Sequence, residues 1–402
     1  MNNLFSVTGP LAGEYLTHEA LTSGTGAAHA VKLYSVLEEY DSVESLQAVI
    51  CDNTNVNTGF KTGAVTVLEK MLDRKIHKIG CLLHWNELPL REIIKQLDGK
   101  NNSATIWIGP IGSRLSEDLY QEPAVEFKKV STTMGEPPAE VMEDLSADQK
   151  LLLQYVLGID AGVIPPNVLM LKPGPACLSR WLTMASRILI IYTRTQDPSS
   201  ELQRIVAFIQ QVYAPGWFLV KCQKSFVEGP RVLFKLLQAV RKLNDPLCSA
   251  VFEDKLEKWA FSLLSENFLA AMLYSDSKWD RKMAAWKICQ LKSQPDTPIG
   301  SQCIQKVNFN AEKWSNLICL STAEHEPPIT KNMSVEEVEA MVDIRGEPPR
   351  FPIHTQSVER AVKNTSEAAG SSFSKEARHK AIVVKTKARK ERPHTDSKKD
   401  FF

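Results

Sequence analysis

Several familiar signatures are missing from this 402-residue sequence, and each absence argues against a class of protein. None of its eight cysteines shows the C-x-x-C spacing of a zinc ribbon or a redox dithiol, so we expect reduced thiols in a cytosolic or nuclear protein. The net charge is only +1, which leaves no overall field to attract nucleic acid or an anionic membrane. Phosphate-binding P-loops, nucleophile elbows and Gly-rich dinucleotide loops are also absent, which argues against an intact hydrolase.

Long apolar runs are scarce as well. The opening residues 1–3 have neither the basic start nor the apolar core of a signal peptide, so none is expected. The best apolar run, residues 181–192, is short for a membrane span and contains Arg187. We therefore expect no membrane-spanning helix.

The hydrophobic pattern changes along the chain. Residues 1–115 alternate strand-like and helix-like stretches in the order two strands, helix, strand, helix, strand, helix, which predicts an α/β (mixed α+β) core. Residues 116–335 have helical periodicity broken by proline-rich stretches, which predicts an all-helical domain. Residues 336–370 would close the core with a helix, and residues 371–402 form a basic tail for which we expect flexibility.

The first candidate site lies in residues 51–59. An apolar strand at residues 46–51 would deliver Asp52 into a loop rich in Asn, Thr and Gly, before a helix at residues 62–72. A carboxylate at the carboxyl end of a strand is a common position for a metal ligand or a catalytic acid. Asp also closes strands by forming Asx turns, and this second interpretation of Asp52 stays open.

A second compact motif spans residues 81–89, after a predicted strand at residues 76–83 and before a predicted helix at residues 90–97. Cys81 and His84 are residue types that bind zinc, but no second ligand pair follows at a suitable spacing. A buried thiol and a hydrogen-bonded histidine are therefore favoured over a zinc site.

The third candidate site contains an acidic residue near the end of the chain. Glu359 lies on a predicted helix at residues 354–363, followed directly by Arg360. It suits the third carboxylate of a two-metal site, in which several acids hold a pair of divalent cations. The alternative is a plain surface pair with Arg360.

Taken together, these segments resemble the hAT superfamily of DDE transposases. The residues that carry the resemblance are Asp52-Asn53 after a strand, Cys81-x-x-His84 with Asn86, and Val358-Glu359-Arg360. Transposon-derived proteins of arthropods and other invertebrates are similar over most of residues 10–400. The resemblance implies an RNase H-like core interrupted by a large all-helical insertion. It also implies an ancestral DNA strand cleavage and transfer that uses Mg²⁺ or Mn²⁺ held by Asp52 and Glu359.

The sequence departs from that family at its start. A DDE site needs a further Asp on the first strand, and the only Asp before Asp52 is Asp41, at the end of a predicted helix. We therefore expect an N-terminally truncated core without its first strand, and without the zinc-finger domain common in these transposases. Because the two cations are held jointly, losing one ligand disrupts the site. The expectation is a catalytically defective remnant, with no confident cofactor.

The resemblance also suggests partners. Trp181 matches a tryptophan that hAT transposases stack on a flipped base, although a large apolar residue on a helix is more often core. A basic cluster in the tail is either a nuclear-import signal, a phosphate-contacting arm or a solvated tail; its members are Lys385, Lys387, Arg389, Lys390 and Arg392. We expect a nuclear location (alternatively cytoplasmic), DNA and a homo-oligomer as partners, and no small-molecule substrate. The alternative function is a protein–protein interaction module built on the helical insertion.

Overall fold

The chain is mostly helical with short strands, a mixed α+β arrangement. A computed structural model describes residues 3–8, 15–21, 23–99, 109–115, 118–143, 145–174, 180–223, 225–265, 267–295, 299, 306–320 and 325–355. The chain divides into two compact units, of which the first contains residues 1–78, 296–302 and 354–402 and the second residues 79–295 and 303–353. The domain boundaries expected from the sequence, after residues 115, 335 and 370, stay predictions.

The first unit begins with a hairpin and continues with alternating strands and helices. Its elements are β1 Asn3–Thr8, β2 Tyr15–Leu21, α1 Gly26–Glu39, β3 Ala48–Cys51, α2 Asn55–Thr58, α3 Ala64–Leu72 and the start of β4 His77–Gly80. β1 and β2 pair antiparallel. The core of this unit forms where α1 packs against α3, with Ala30, Leu37, Val65, Leu68 and Ile76 buried together.

β3 and β4 form a two-stranded sheet. The backbone N–H of His77 donates to the carbonyl of Gln47 at 2.8 Å, so the bond joins the starts of both strands. An antiparallel pair would place Gln47 opposite the end of β4 instead. The two strands therefore run in the same direction, joined by the crossover through α2 and α3.

Helices build the second unit. Its elements are α4 Leu82–Asp98, α5 Ala139–Glu143, α6 Ala147–Ala161, α7 Pro166–Leu169, α8 Arg180–Thr193, α9 Ser200–Phe208, α10 Ala214–Cys222, α11 Gly229–Lys242, α12 Pro246–Ala260, α13 Phe268–Leu273, α14 Lys278–Lys292, the short strands β5 Lys306–Val307 and β6 Ile318–Cys319, and α15 Val335–Asp343. α4 contacts α8, α9, α10 and α12. It is therefore the central helix of the unit, and the motif at residues 81–89 forms its first half.

One long apolar helix was overlooked in the sequence. α9, a π-helical turn at Ile209–Tyr213 and α10 form a continuous stretch, Ser200–Cys222, that is long and apolar enough to cross a membrane. Core helices of the same length and composition are equally apolar, and 67% of its most apolar window is buried inside the protein. It is the one such stretch among the described residues.

Local hydrogen bonds fix the starts of two helices. Ser146 and Gln149 form a capping box at the start of α6. Ser334 and Glu337 do the same for α15.

The boundary between β4 and α4 was predicted wrongly. The strand expected at residues 76–83 ends at Gly80, and the helix expected from residue 90 begins at Leu82. Pro89, just before the expected helix start, lies inside α4. It removes one N–H from the helix, a cost that burial of the apolar face of α4 outweighs, since Leu90, Ile93 and Ile94 are fully buried.

Candidate functional site

Asp52 directly follows β3 and organises the loop after it. Its Oδ1 accepts three hydrogen bonds: from the backbone N–H of Thr54 at 3.1 Å, the Thr54 hydroxyl at 2.7 Å and the side-chain amide of Asn57 at 2.8 Å. The bond to the N–H two residues on is the Asx turn that the sequence left as the second interpretation. Asp52 therefore ties the end of β3 to the first turn of α2.

The same geometry limits what Asp52 offers to a cation. Oδ1 already accepts three donors, whereas Oδ2 accepts no hydrogen bond within the described part of the chain. The carboxylate fits Mg²⁺ or Mn²⁺ through one oxygen, and bidentate coordination would break the turn. Its expected partner Glu359 lies outside the described residues, so the pair stays a prediction. Among the described residues, no three His, Cys, Asp or Glu side chains form a group that could hold a metal.

Cys81 and His84 occupy the N-terminal turn of α4. Cys81 is the N-cap residue and its side chain is buried, whereas His84, three residues on, is half-buried. The thiol is therefore buried, as expected, and the hydrogen bond expected for His84 stays a prediction. The zinc alternative has no further ligands among the described residues.

Asn86 has a clear structural partner. Its Nδ2 donates to the carbonyl of Tyr213 at 2.9 Å, in the π-helical turn between α9 and α10. The neighbouring Trp85 is fully buried and its Nε1 donates to the carbonyl of Lys255 at 3.3 Å. The motif thus anchors α4 to distant helices of the second unit, a role for Asn86 that the sequence pattern did not reveal.

The π-helical turn leaves a backbone carbonyl without a backbone donor, so a side chain has to supply one. The N–H of Ala214 bonds to the carbonyl of Ile209, five residues back, and the next position, Pro215, has no N–H for the carbonyl of Gln210. The hydroxyl of Thr132 donates to that Gln210 carbonyl at 2.6 Å. Side chains from two other segments therefore complete this turn.

Trp181 lies at the start of α8, where its side chain is half-buried. The guanidinium of Arg91, from α4, lies 6.0 Å from the centre of its indole ring. The Trp181 side chain is therefore neither fully buried like a core residue nor an open surface on which a base could stack. Its proposed contact with a flipped base stays a prediction.

The two ends of the second unit meet at α4. The backbone N–H of Leu82 donates to the carbonyl of Ile353 at 3.0 Å, and Ile353 is buried. The segment before it is held by Ser225, whose hydroxyl donates to the carbonyl of Pro349 at 2.8 Å. The chain therefore enters and leaves the second unit at neighbouring positions.

The predicted site residues fall into three groups. Asp52 belongs to the first unit, while Cys81, His84, Asn86 and Trp181 belong to the second. Glu359, Arg360 and the tail cations Lys385, Lys387, Arg389, Lys390 and Arg392 lie outside the described residues. The sequence reasoning missed the exposed Trp279 and Trp286, although two tryptophans seven residues apart on a lysine-rich helix were a readable signal.

In comparisons with protein-family models, curated proteins and solved structures, nothing matches this chain.

Proposed function

We propose that this protein derives from a DDE transposase of the hAT type, that it has lost strand-cleavage activity, and that it retains nucleic-acid binding through its basic tail. In this proposal the first unit corresponds to the RNase H-like core, and the second unit corresponds to the helical insertion. Its location would be nuclear.

The observation that carries the proposal is the way in which the helical unit is inserted. The first unit consists of residues 1–78, 296–302 and 354–402, so residues 79–295 and 303–353 of the second unit interrupt it in sequence. Insertion requires that the chain enter and leave at one place, and the Leu82–Ile353 backbone bond meets that requirement. The inserted unit begins within β4, and the resemblance to hAT proteins puts the Cys-x-x-His motif directly after that strand. This arrangement supports the proposed ancestry.

The surroundings of Asp52 support the loss of catalysis. Three donors converge on one of its oxygens, which suits a residue kept for the turn.

A cleavage assay tests this part directly. The full chain is incubated with end-labelled DNA and either Mg²⁺ or Mn²⁺, beside an Asp52→Asn variant that keeps Oδ1 for the turn. We expect no cutting by either protein. Metal-dependent cutting by the wild type that the variant lacks would overturn the proposal.

Nucleic-acid binding is tested separately. Phosphate contacts release counterions, so binding through the tail should weaken steeply as salt rises. The assay is a gel shift of duplex and single-stranded DNA at 50, about 100 and about 200 mM salt, with a chain ending at residue 370 as control. We expect a salt-sensitive shift that the shortened chain loses, and equal binding by both chains contradicts the role of the tail.

The alternative is a protein–protein interaction module built on the helical unit. A specific observation favours it as a second candidate: two tryptophans on α14 are largely exposed, at 67% and 55%. Protein binding without salt-sensitive DNA affinity would favour this alternative over the first.

A further inference from the structure

The surface of α14 carries an unusual apolar stripe. Trp279 and Trp286 are 67% and 55% exposed, and they lie seven residues apart, which is two helical turns and hence the same side of the helix. Lys282 and Met283 lie between them on the same side, exposed and half-buried respectively. An exposed apolar patch of this size on a folded unit marks an interaction surface.

A groove extends the patch. It has a volume of about 300 Å³ and runs between α14 and the turn and strand at residues 315–320, with Trp279 and Met283 on one wall and Ile318 and Leu320 on the other. Methionine side chains adapt their shape to a partner, and tryptophans supply most of the binding energy where they are buried at interfaces. The surface is therefore built for a protein partner with an aromatic or aliphatic face.

The charges around the stripe change sign along it. α15 packs along α14 and runs in the opposite direction, since Arg281 of α14 donates to the carbonyls of Met341 and Val342, and Glu336 and Glu339 lie near Cys289 further along α14. Lys282 lies exposed in the N-terminal half of the stripe, where the neighbouring Lys278 is already paired with the carboxylate of Asp343. The exposed acids Glu336 and Glu339 border its middle and C-terminal half. Such a bordering row of acids disfavours a phosphate backbone.

We propose that this face binds the same face of a second copy of the chain, with the two α14 helices antiparallel. A two-fold axis perpendicular to α14 near residues 282 and 283 exchanges the two ends of the stripe. It brings Trp279 of one copy to Trp286 of the other, and Lys282 of one copy to Glu339 of the other. A self-complementary interface requires that the two tryptophans lie at equal distances from this midpoint. It also requires that the charge beside the stripe have opposite signs on the two sides of the midpoint. Neither depends on whether the chain binds DNA.

The primary test is the mass of the full chain in solution, measured by sedimentation velocity between 0.5 and about 50 µM. We expect a concentration-dependent dimer. A variant with both Trp279→Ala and Trp286→Ala should dimerise at least about 100-fold more weakly, because each copy loses two aromatic anchors. The control is Met170→Ala, an equally exposed apolar residue, at 77%, in the same unit. Circular dichroism checks that every variant is folded.

A charge exchange tests the antiparallel arrangement. Lys282→Glu and Glu339→Lys should each weaken self-association about tenfold, because each puts like charges opposite each other twice. Mixing the two variants should restore dimers, since the mixed pair again has opposite charges at both places. A wild type that stays monomeric throughout the concentration range, or a dimer insensitive to the tryptophan changes, overturns the proposal. Failure of the mixture to associate better than either variant overturns the arrangement.

Discussion

The side-chain amide of Asn86 donates to the backbone carbonyl of Tyr213 at 2.9 Å, and this bond joins the central helix of the second unit to a π-helical turn. Both residues are buried. Gly216 allows the approach, because a Cβ at that position would lie 2.6 Å from Leu236 Cδ2 and 3.2 Å from Asn86 Oδ1. This polar residue of the motif thus serves the assembly of the helical unit.

Replacing Asn86 by Ala should lower the free energy of unfolding by about 1–3 kcal/mol, because the buried Tyr213 carbonyl would lose its side-chain donor. The measurement is urea unfolding followed by circular dichroism. Gln96→Ala, an exposed residue on the same helix, is the control and should change little. Equal stability of the two variants would show that this bond contributes nothing.

The hydroxyl of Thr132 should contribute to stability only because Pro215 has no N–H to offer the Gln210 carbonyl. Thr132→Val keeps the shape but removes the hydroxyl that donates to the Gln210 carbonyl at 2.6 Å, and we expect a loss of about 1 kcal/mol. In a Pro215→Ala background the backbone regains an N–H, so the same change should cost less. A double-mutant cycle measures this difference, and Thr132→Ser serves as the conservative control. Identical costs in both backgrounds would contradict the explanation.

The ion pair between Arg204 and Asp245 should make the stability of the folded protein depend on pH in the acid range. Two hydrogen bonds at 2.7 and 2.8 Å from the Arg204 guanidinium lower the pKa of Asp245 to about 2. A lowered folded-state pKa means that the contribution is complete above the ordinary value of 3.8 and disappears as the pH falls toward 2.

The matched variant for this pair is Asp245→Asn, because Asn also caps helices and Asp245 accepts the N–H groups of Leu247 and Cys248 at the start of α12. At pH 7 the variant should be less stable by about 1 kcal/mol, a small value because Arg204 is partly exposed. Thermal unfolding from pH 7 to 2 should show this difference shrink below pH 3.8 and become small as the pH approaches 2. A difference that stays constant would exclude the charge as its cause.

His77 should remain neutral in the folded protein well below its usual range. Complete burial lowers its pKa from 6.5 to about 3. As the pH falls, His77 therefore binds a proton in the unfolded chain before it does so in the folded protein. The contribution of neutral His77 to the free energy of unfolding is complete above pH 6.5 and is lost as the pH falls from 6.5 toward 3.

Two measurements check His77. In NMR spectra its imidazole signals should not titrate between pH 8 and about 5. The free energy of unfolding of the wild type should fall by about 1.4 kcal/mol per pH unit more than that of His77→Gln below pH 6. A titration midpoint near 6.5 for this imidazole would refute the prediction.

Helix boundaries that depend on neighbouring residues can be predicted from the sequence. Helix boundaries that depend on tertiary packing cannot. The capping boxes at Ser146 and Ser334 are local hydrogen-bond patterns, formed by residues three positions apart in the sequence. The position of Pro89 inside α4 was not predicted, because local propensity favours a break there and only the burial of α4 on several sides reverses it.

The candidate site divides in the same way. Residues 51–52 could be recognised as a strand end followed by an acid, since strand and loop patterns are local. Whether Asp52 meets a distant acid depends on Glu359, some three hundred residues away in sequence, and no local pattern encodes such a contact. The partner of Asn86 could not be predicted either, because it is the backbone carbonyl of Tyr213, 127 residues away in sequence.

The sequence alone determined the order of strands and helices and the helical character of the middle of the chain, since these depend on residue order and periodicity. The tertiary structure decided which elements pack together. It showed that the helical unit is closed at its base by the Leu82–Ile353 bond, that Asn86 supports a π-helical turn, and that Trp279 and Trp286 stay exposed. Burial is a property of the assembled chain, and a tryptophan on an amphipathic helix looks the same in sequence whether it faces the core or a partner.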